Sequence, residues 1–297
     1  AESRIRFVLA ARAIAEAENI VVHPEEVNAE YRRLSQLQDT PEAEIRKALP
    51  EDTIAAALAA KKVQRFLPPF EPRVLLDPEN PISIGAMVGP EAFTEVKYLA
   101  HHKQMQALDL IPKLAGEFKT VFGRDSGGLV RSYRTEDAET IVVAMGSVLG
   151  TIKDTVDEMR EAGHKVGVLG VISFRPFPLE AVRKALSGVK RVVVLEKTFA
   201  VGIGGILATD IRTAMDGVEI LDYTVVAGLG GRPITKKSLH EVFAKALADE
   251  LPPLTFLDLD WNVVNKQLER ERQRRRSGPA AENILRDVGC SHVAQHS

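Results

Sequence analysis

Thr140-Ile141-Val142-Val143-Ala144-Met145 is the first of four short runs of apolar and β-branched residues. It is followed by 166–172 (VGVLGVI), 191–195 (RVVVL) and 220–227 (ILDYTVVA). Runs that are apolar at consecutive positions, rather than at alternate ones, predict strands covered on both faces, as in a parallel sheet. Between them lie segments of helical spacing at Val148–Ala162, Leu179–Leu186 and Ile203–Met215, with a fourth at Lys236–Leu247 after the last run. A β-α unit repeated four times predicts an α/β fold with a doubly wound, mostly parallel open sheet.

In such sheets ligands and partners gather at the carboxyl ends of the strands. Each run here leads into an unusual loop: Gly146-Ser147, then Ser173-Phe174-Arg175-Pro176-Phe177-Pro178, then Glu196–Gly205, then Gly228–Thr235. All four loops are therefore expected on one rim. Gly202, Gly204 and Gly205 stand ahead of a helix, where free backbone N–H groups attract anions. The dinucleotide fingerprint G-x-G-x-x-G is not met, so close packing of the helix is the competing reason for these glycines. Gly230, Gly231 and Arg232 pair flexible backbone with a guanidinium able to grip a carboxylate or phosphate. Thr235 reads equally as a helix cap, and Arg175, fixed between Phe174 and Pro176, has both a structural and a binding reading. Glu196 ends a strand, where an acid or base works, but capping or ion pairing is the stronger reading and no catalytic residue is assigned. The candidates for binding or a subunit interface are Gly146, Ser147, Arg175, Gly202, Gly204, Gly205, Gly230, Gly231 and Arg232.

Upstream the composition changes. The 297 residues include 21 glycines, the first being Gly85, so the opening stretch avoids the residue on which tight turns and phosphate loops depend. Ile5, Val8, Leu9, Ala13 and Ile14 recur at helical spacing, and a second helix starts at His23-Pro24-Glu25-Glu26, with Val27, Tyr31 and Leu34 on its apolar side. Asp39-Thr40-Pro41-Glu42 and Asp52-Thr53 predict further helix starts, because short polar side chains cap free N–H groups. Consecutive prolines, Pro68-Pro69, close this unit. The expected organisation is an all-helical domain over 1–67, a linker over 68–82, a helical and turn-rich connector over 83–138, the α/β domain over 139–250 and a carboxy-terminal extension over 251–297.

Lys+Arg 39 against Asp+Glu 41 leaves a formal charge of -2, which predicts neither a nucleic-acid nor a membrane partner. One cysteine, Cys290, excludes an intrachain disulfide and the four thiolates of an iron–sulfur cluster within one chain. No apolar run approaches the roughly 20 residues of a membrane span, and the opening residues do not read as a signal peptide, so a cytoplasmic location is expected. The paired His101-His102, and Cys290 with His292, lack further donors at ligand spacing, so no metal site is assigned. The basic stretch 267–276 (QLERERQRRR) reads as a solvated helix end, and Trp261 as packing or subunit contact.

Several longer stretches carry a resemblance: LDPENPISIGAMVGPEAFTEVKY, SGGLVRSYRTEDAETIVVAMGSVLGTIKDTVDEMREAG, VGVLGVISFRPFPLEAVRKAL, VVVLEKTFAVGIGGILATDIR and VVAGLGGRPIT. Their order and spacing over residues 71 to about 289 resemble the alpha subunit of pyruvate (2-oxoacid):ferredoxin oxidoreductases, in its second, transketolase-carboxy-terminal-like domain. That resemblance implies oxidative decarboxylation of a 2-oxoacid, pyruvate first among them, to an acyl-CoA. Thiamine diphosphate and iron–sulfur clusters are implied in the beta, gamma and delta partner subunits, with none bound by this chain alone, and ferredoxin takes part indirectly. The family's first domain, which contacts the thiamine pyrimidine and the oxoacid, has no counterpart here, so the chain is expected not to be active by itself. Residues 1–67 resemble the carboxy-terminal helical domain of trigger factor. This leaves an alternative in which a chaperone-like, peptide-binding module is fused to an inactive α/β domain. A truncated or fused product without activity is a third reading.

Overall fold

The computed structural model describes residues 2–72, 75–81, 85, 87–272 and 280–289. It divides into two compact units, Ala1–Arg131 with Ile172–Pro178, and Ser132–Val171 with Leu179–Ser297.

In the first unit, α1 (Glu2–Ala17), α2 (Pro24–Gln38), α3 (Glu42–Ala48) and α4 (Glu51–Phe66) form the expected all-helical region, followed by the long α5 (Phe93–Phe122). The start of α2 is fixed by the Glu26 side chain, which accepts a hydrogen bond from the His23 backbone N–H at 2.9 Å. Tyr31 fills the small core with Val27, Ile45 and Ile54, and its hydroxyl donates to the Leu49 carbonyl at 2.7 Å.

Two details depart from the sequence reading. The helix caps expected at Thr40 and Asp52-Thr53 do not form, because Pro41 and Pro50 take the N-cap positions of α3 and α4. Helix α1 buries Ala11 and Ala15 against Ala59 and Val63, while Val8, Leu9 and Ile14 are exposed. Small side chains let two helix backbones approach closely, so the alanine stripe, not the larger aliphatic one, faces the neighbour.

The second unit holds β-strands from Ser132 onward. Strands β1 (Val130–Tyr133), β2 (Thr140–Ala144), β3 (Val166–Val171), β4 (Arg191–Glu196), β5 (Leu221–Val226) and β6 (Leu254–Phe256) lie in the order β1-β3-β2-β4-β5-β6. Strands β2 to β6 are parallel, with Val142 level with Val168 and Val193, and Val226 level with both Glu196 and Phe256. Helices α6 (Val148–Glu161), α7 (Leu179–Ala185), α8 (Ile206–Ala214) and α9 (Lys236–Leu247) connect them, and α10 (Trp261–Arg272) and α11 (Ala280–Asp287) follow. Every residue of β2 and β3 is buried, which is why both read as unbroken apolar runs. Val142, Val168, Val193 and Val225 pack with Ile152 and Val156 of α6 and Leu239 and Phe243 of α9; each such side chain contributes about 1.5–3 kcal/mol on burial.

The sheet extends beyond residues 139–250 at both ends. Edge strand β1 precedes that range, and β6 lies in what the sequence suggested was only an extension. Trp261 is 62% exposed, so it does not pack into this core. The basic run 267–276 lies in α10 as far as Arg272 and otherwise falls outside the described residues, as do Cys290 and His292.

Candidate functional site

The chain passes from β2 outward to β3 and then returns to the other side of β2 with β4. The order of connection therefore reverses between β2 and β4, and the loops leaving those two strands flank a crevice at their carboxyl ends. Three of the four loops singled out from the sequence meet along this rim: Gly146-Ser147 after β2, Glu196–Gly205 at the end of β4, and Gly228–Thr235 after β5. The loop carrying Arg175 belongs to the other compact unit. There the Arg175 guanidinium lies 4.1 Å from the centre of the Phe174 ring, and its carbonyl accepts from Gln104 at 2.8 Å.

Gly146 turns the chain with φ +76, and Ser147 stands at the N-cap of α6 without a side-chain capping bond. After β4 the chain forms a tight hairpin: the Ala200 N–H donates to the Gly204 carbonyl at 2.8 Å, and the Gly204 N–H donates back to Ala200 at 2.9 Å. Gly202 and Gly204 have φ +89 and +122, values that only glycine adopts readily. Phe199 supports the base of the hairpin, edge-on to Phe256 of β6 with ring centres 5.0 Å apart.

Glu196 is the residue this loop is built around. It is buried, and its carboxylate accepts from the backbone N–H of Leu207 at 2.8 Å and of Ala208 at 2.9 Å, and from the Thr198 hydroxyl at 2.6 Å. Those N–H groups belong to the first turn of α8 and have no partner within the helix. The seat at which a glycine-rich loop would hold a phosphate is thus filled by the chain's own anion. The capping reading of Glu196 is correct, and it accounts for Gly205. A Cβ on that residue would lie 2.0 Å from Glu196 Oε1 and 2.8 Å from Thr224 Cγ2.

The third loop is a short turn over Leu229–Gly231, with positive φ at Gly228, Gly230 and Gly231. Arg232 does not stand free: its guanidinium donates to the Asp258 carbonyl. Thr235 caps α9 by accepting from the Ser238 N–H at 3.1 Å. Lys197 runs its stem along this turn, so that a Cβ on Gly228 would meet Lys197 Cε at 3.1 Å and Ile234 Cδ1 at 3.2 Å.

The amino-terminal ends of the same strands differ in kind. Arg191 binds Asp249 at 2.7 Å, Lys190 binds Glu139 at 2.7 Å, and Arg212 binds Asp222 at 2.6 Å. The Arg191 guanidinium holds the Asp249 carboxyl below its ordinary range. Ion pairs therefore close that end, while glycines and apolar side chains make the other.

Thiamine diphosphate needs a seat for its diphosphate and a divalent cation, and the amino terminus of α8 does not offer the first. The α8 amino terminus holds a carboxylate, which repels phosphate, and no group of three His, Cys, Asp or Glu side chains among the described residues is placed to hold a metal ion. A single cysteine in the sequence cannot supply the four thiolates of a cluster. No helix among the described residues is long and apolar enough to cross a membrane.

Residues 138–239, which hold all three rim loops, match the family described as pyruvate:ferredoxin oxidoreductase core domain II. That match takes in strands β2 to β5 and the helices between them. The PorA subunit of the Methanosarcina barkeri pyruvate synthase is 44% identical over 182 residues, 60% of this chain and 45% of the relative. That of Methanothermobacter thermautotrophicus is 40% identical over 180 residues, 61% of this chain and 46% of the relative. The VorA subunit of the Pyrococcus horikoshii ketoisovalerate oxidoreductase is 36% identical over 210 residues, 70% and 51% of the two chains. The chain thus spans about half the length of the curated relatives it matches. A solved 2-oxoglutarate:ferredoxin oxidoreductase from Magnetococcus marinus aligns over 52% of this chain and 24% of that one, with 20% identity and a TM-score of 0.34, too slight a likeness to decide anything here. None of these relatives bears out the resemblance of residues 1–67 to trigger factor, and the chaperone reading is not favoured. Core domain II is where the sequence resemblance placed the α/β half.

Proposed function

We propose that this chain is an alpha-type component of a 2-oxoacid:ferredoxin oxidoreductase, with pyruvate the first 2-oxoacid to test. In this reading it works with beta, gamma and delta subunits, which carry the thiamine diphosphate and the iron–sulfur clusters and hand electrons to ferredoxin. The observation that supports it most is the 44% identity to a pyruvate synthase PorA subunit over 182 residues. The filled seat at α8 is consistent with that division of labour, since Glu196 leaves core domain II no place to bind a phosphate at that helix. Its part is then to present the rim, Gly146, Ser147, Gly202, Gly204, Gly205, Gly230, Gly231 and Arg232, to neighbouring chains. Arg175 is a contact candidate in the other unit.

The test is reduction of a viologen dye by pyruvate, coenzyme A and thiamine diphosphate. It is run with the chain alone and with the beta, gamma and delta subunits of the Methanosarcina barkeri enzyme. Silence from the chain alone and activity from the mixture is the expected result. Silence from a mixture in which all chains are folded and assembled would count against an oxidoreductase role.

A further inference from the structure

Between the ion pairs at the amino-terminal ends of β2, β3 and β4 a cleft of about 520 Å3 remains open, beside the last turns of α6 and α9. That is a size suited to a small molecule. Glu139, His164, Lys165 and Arg191 make its polar side, and Ala244, Leu247 and Ala248 make an apolar wall. Ala244 and Ala248 are exposed, so their short side chains keep the wall clear and leave it facing the open space.

The polar groups are not equally engaged. Arg191 is bound by Asp249 at 2.7 Å and Glu139 accepts from Lys190 at 2.7 Å, whereas Lys165 stands 3.5 Å from Glu139 and is 58% exposed. Lys165, Lys190 and Arg191 are thus set against Glu139 and Asp249, and the positive charge left over falls on Lys165. The His164 ring beside it has no partner among the described residues. Helix carboxyl ends favour cations, but those of α6 and α9 are closed by the chain: the Arg160 carbonyl accepts from Gly163 at 2.9 Å, Met159 from His164 at 3.0 Å, and Ala244 from Ala248 at 3.1 Å. Thr140 adds a third group. It precedes Val142 by two residues, so it shares the face of β2 that α6 and α9 cover, and it is level with Arg191. Thr140 is 2% exposed and its hydroxyl has no partner, an unused polar group next to two residues that line the cleft.

Two free donors and a single surplus charge match the two oxygens and one charge of a carboxylate. A dianion such as phosphate would set its second charge against Glu139. We propose that this cleft binds a small monocarboxylate, with its oxygens on Lys165 and His164 and a short alkyl body against Ala244, Leu247 and Ala248. The site stands on this chain's own residues and does not depend on the oxidoreductase reading.

The experiment titrates the full chain with butanoate by isothermal calorimetry, with butylamine and inorganic phosphate as comparison probes. Saturable binding of butanoate, and of neither other probe, is the expected result. Lys165→Met keeps the aliphatic stem and removes the charge, and is expected to weaken butanoate binding on the order of tenfold. Ala244→Leu, at an exposed position, fills the space along the apolar wall and is expected to weaken it to a similar degree. Lys237→Met, an exposed lysine at the other end of α9, should bind as the native chain does, and circular dichroism should be the same for all. No binding of butanoate by the native chain overturns the site, as does native-like binding by Lys165→Met. Native-like binding by Ala244→Leu overturns the placing of the alkyl body, and tighter binding of phosphate or butylamine overturns the monocarboxylate class.

Discussion

Glu196 and Gly205 are fitted to one another: the carboxylate that caps α8 occupies the space where a side chain at position 205 would stand. Gly205 has φ -76 and ψ 141, a conformation open to any residue, so its glycine is required by space and not by backbone geometry. Gly205→Ala is expected to lower stability by about 1–3 kcal/mol through overpacking. Glu196→Ala is expected to cost a similar ~1–3 kcal/mol by leaving the Leu207 and Ala208 N–H groups without an acceptor. Because the second change removes Glu196 Oε1, the nearest atom with which the first collides, and leaves only Thr224 Cγ2 in its way, the double variant should lose less than the two single losses added. Urea denaturation of the four proteins decides this, and strict additivity would mean that the two residues do not act on each other.

How much of this arrangement the sequence disclosed depends on burial. Strands β2 and β3 are covered on both faces and so appear as continuous apolar runs. Edge strands β1 and β6 are partly exposed and short, with residues such as Arg131, Ser132 and Thr255 that give no such signal. The rim loops were legible because glycine clusters follow strands directly. The partner of Gly205 was not, since only the fold brings Glu196, nine residues earlier, onto the α8 terminus. Helix α1 shows the same limit. Spacing marked an apolar face, and the choice between the alanine side and the Val8, Leu9 and Ile14 side was made by the helix it packs against.

In the helical unit, Glu30 of α2 is held by Arg33 at 2.7 Å and by Lys61 of α4 at 2.9 Å. Chiefly through the Arg33 bond, its pKa is lowered from 4.5 to about 2. A carboxyl whose pKa falls on folding stabilises the fold above its unfolded value, and that contribution is lost as pH drops through the folded one. The α2–α4 pairing should therefore weaken between about pH 4.5 and pH 2 and be insensitive above. Both cations are half exposed, so the effect is about 1 kcal/mol. Acid unfolding followed by helical circular dichroism, with Glu30→Gln beside the native chain, checks it: the variant should show a smaller loss over that interval.

Tyr31 is buried and its hydroxyl donates to the Leu49 carbonyl at 2.7 Å, joining α2 to the end of α3. The Arg46 guanidinium lies 4.1 Å from the centre of its ring. Tyr31→Phe keeps the ring and removes only the hydroxyl, so the loss should be about 1–2 kcal/mol, that of one carbonyl left without its donor. Tyr31→Ala also empties the core and should cost about 3–5 kcal/mol. Thermal unfolding of the two variants separates the terms, and equal losses would show that the hydrogen bond carries all the effect.

Gly167 lies within the fully buried β3, where valine would be the residue best suited to a strand. Beside it the chain bends at Arg134, which has φ +53, and the Arg134 carbonyl is held by the Arg160 guanidinium at 2.8 Å. A Cβ at 167 would lie 2.5 Å from that carbonyl oxygen and 3.1 Å from Ala138 Cβ. Backbone cannot swing aside as a flexible side chain does, and Arg160, bound also to Asp137 at 2.6 Å and to the Val166 carbonyl at 2.7 Å, fixes it further. Gly167→Ala is expected to destabilise by roughly 1–3 kcal/mol and Gly167→Val by more, the reverse of the order set by strand propensity. Urea midpoints for the two variants decide between them: if valine is tolerated better than alanine, intrinsic preference governs this strand and the approach of the Arg134 carbonyl does not.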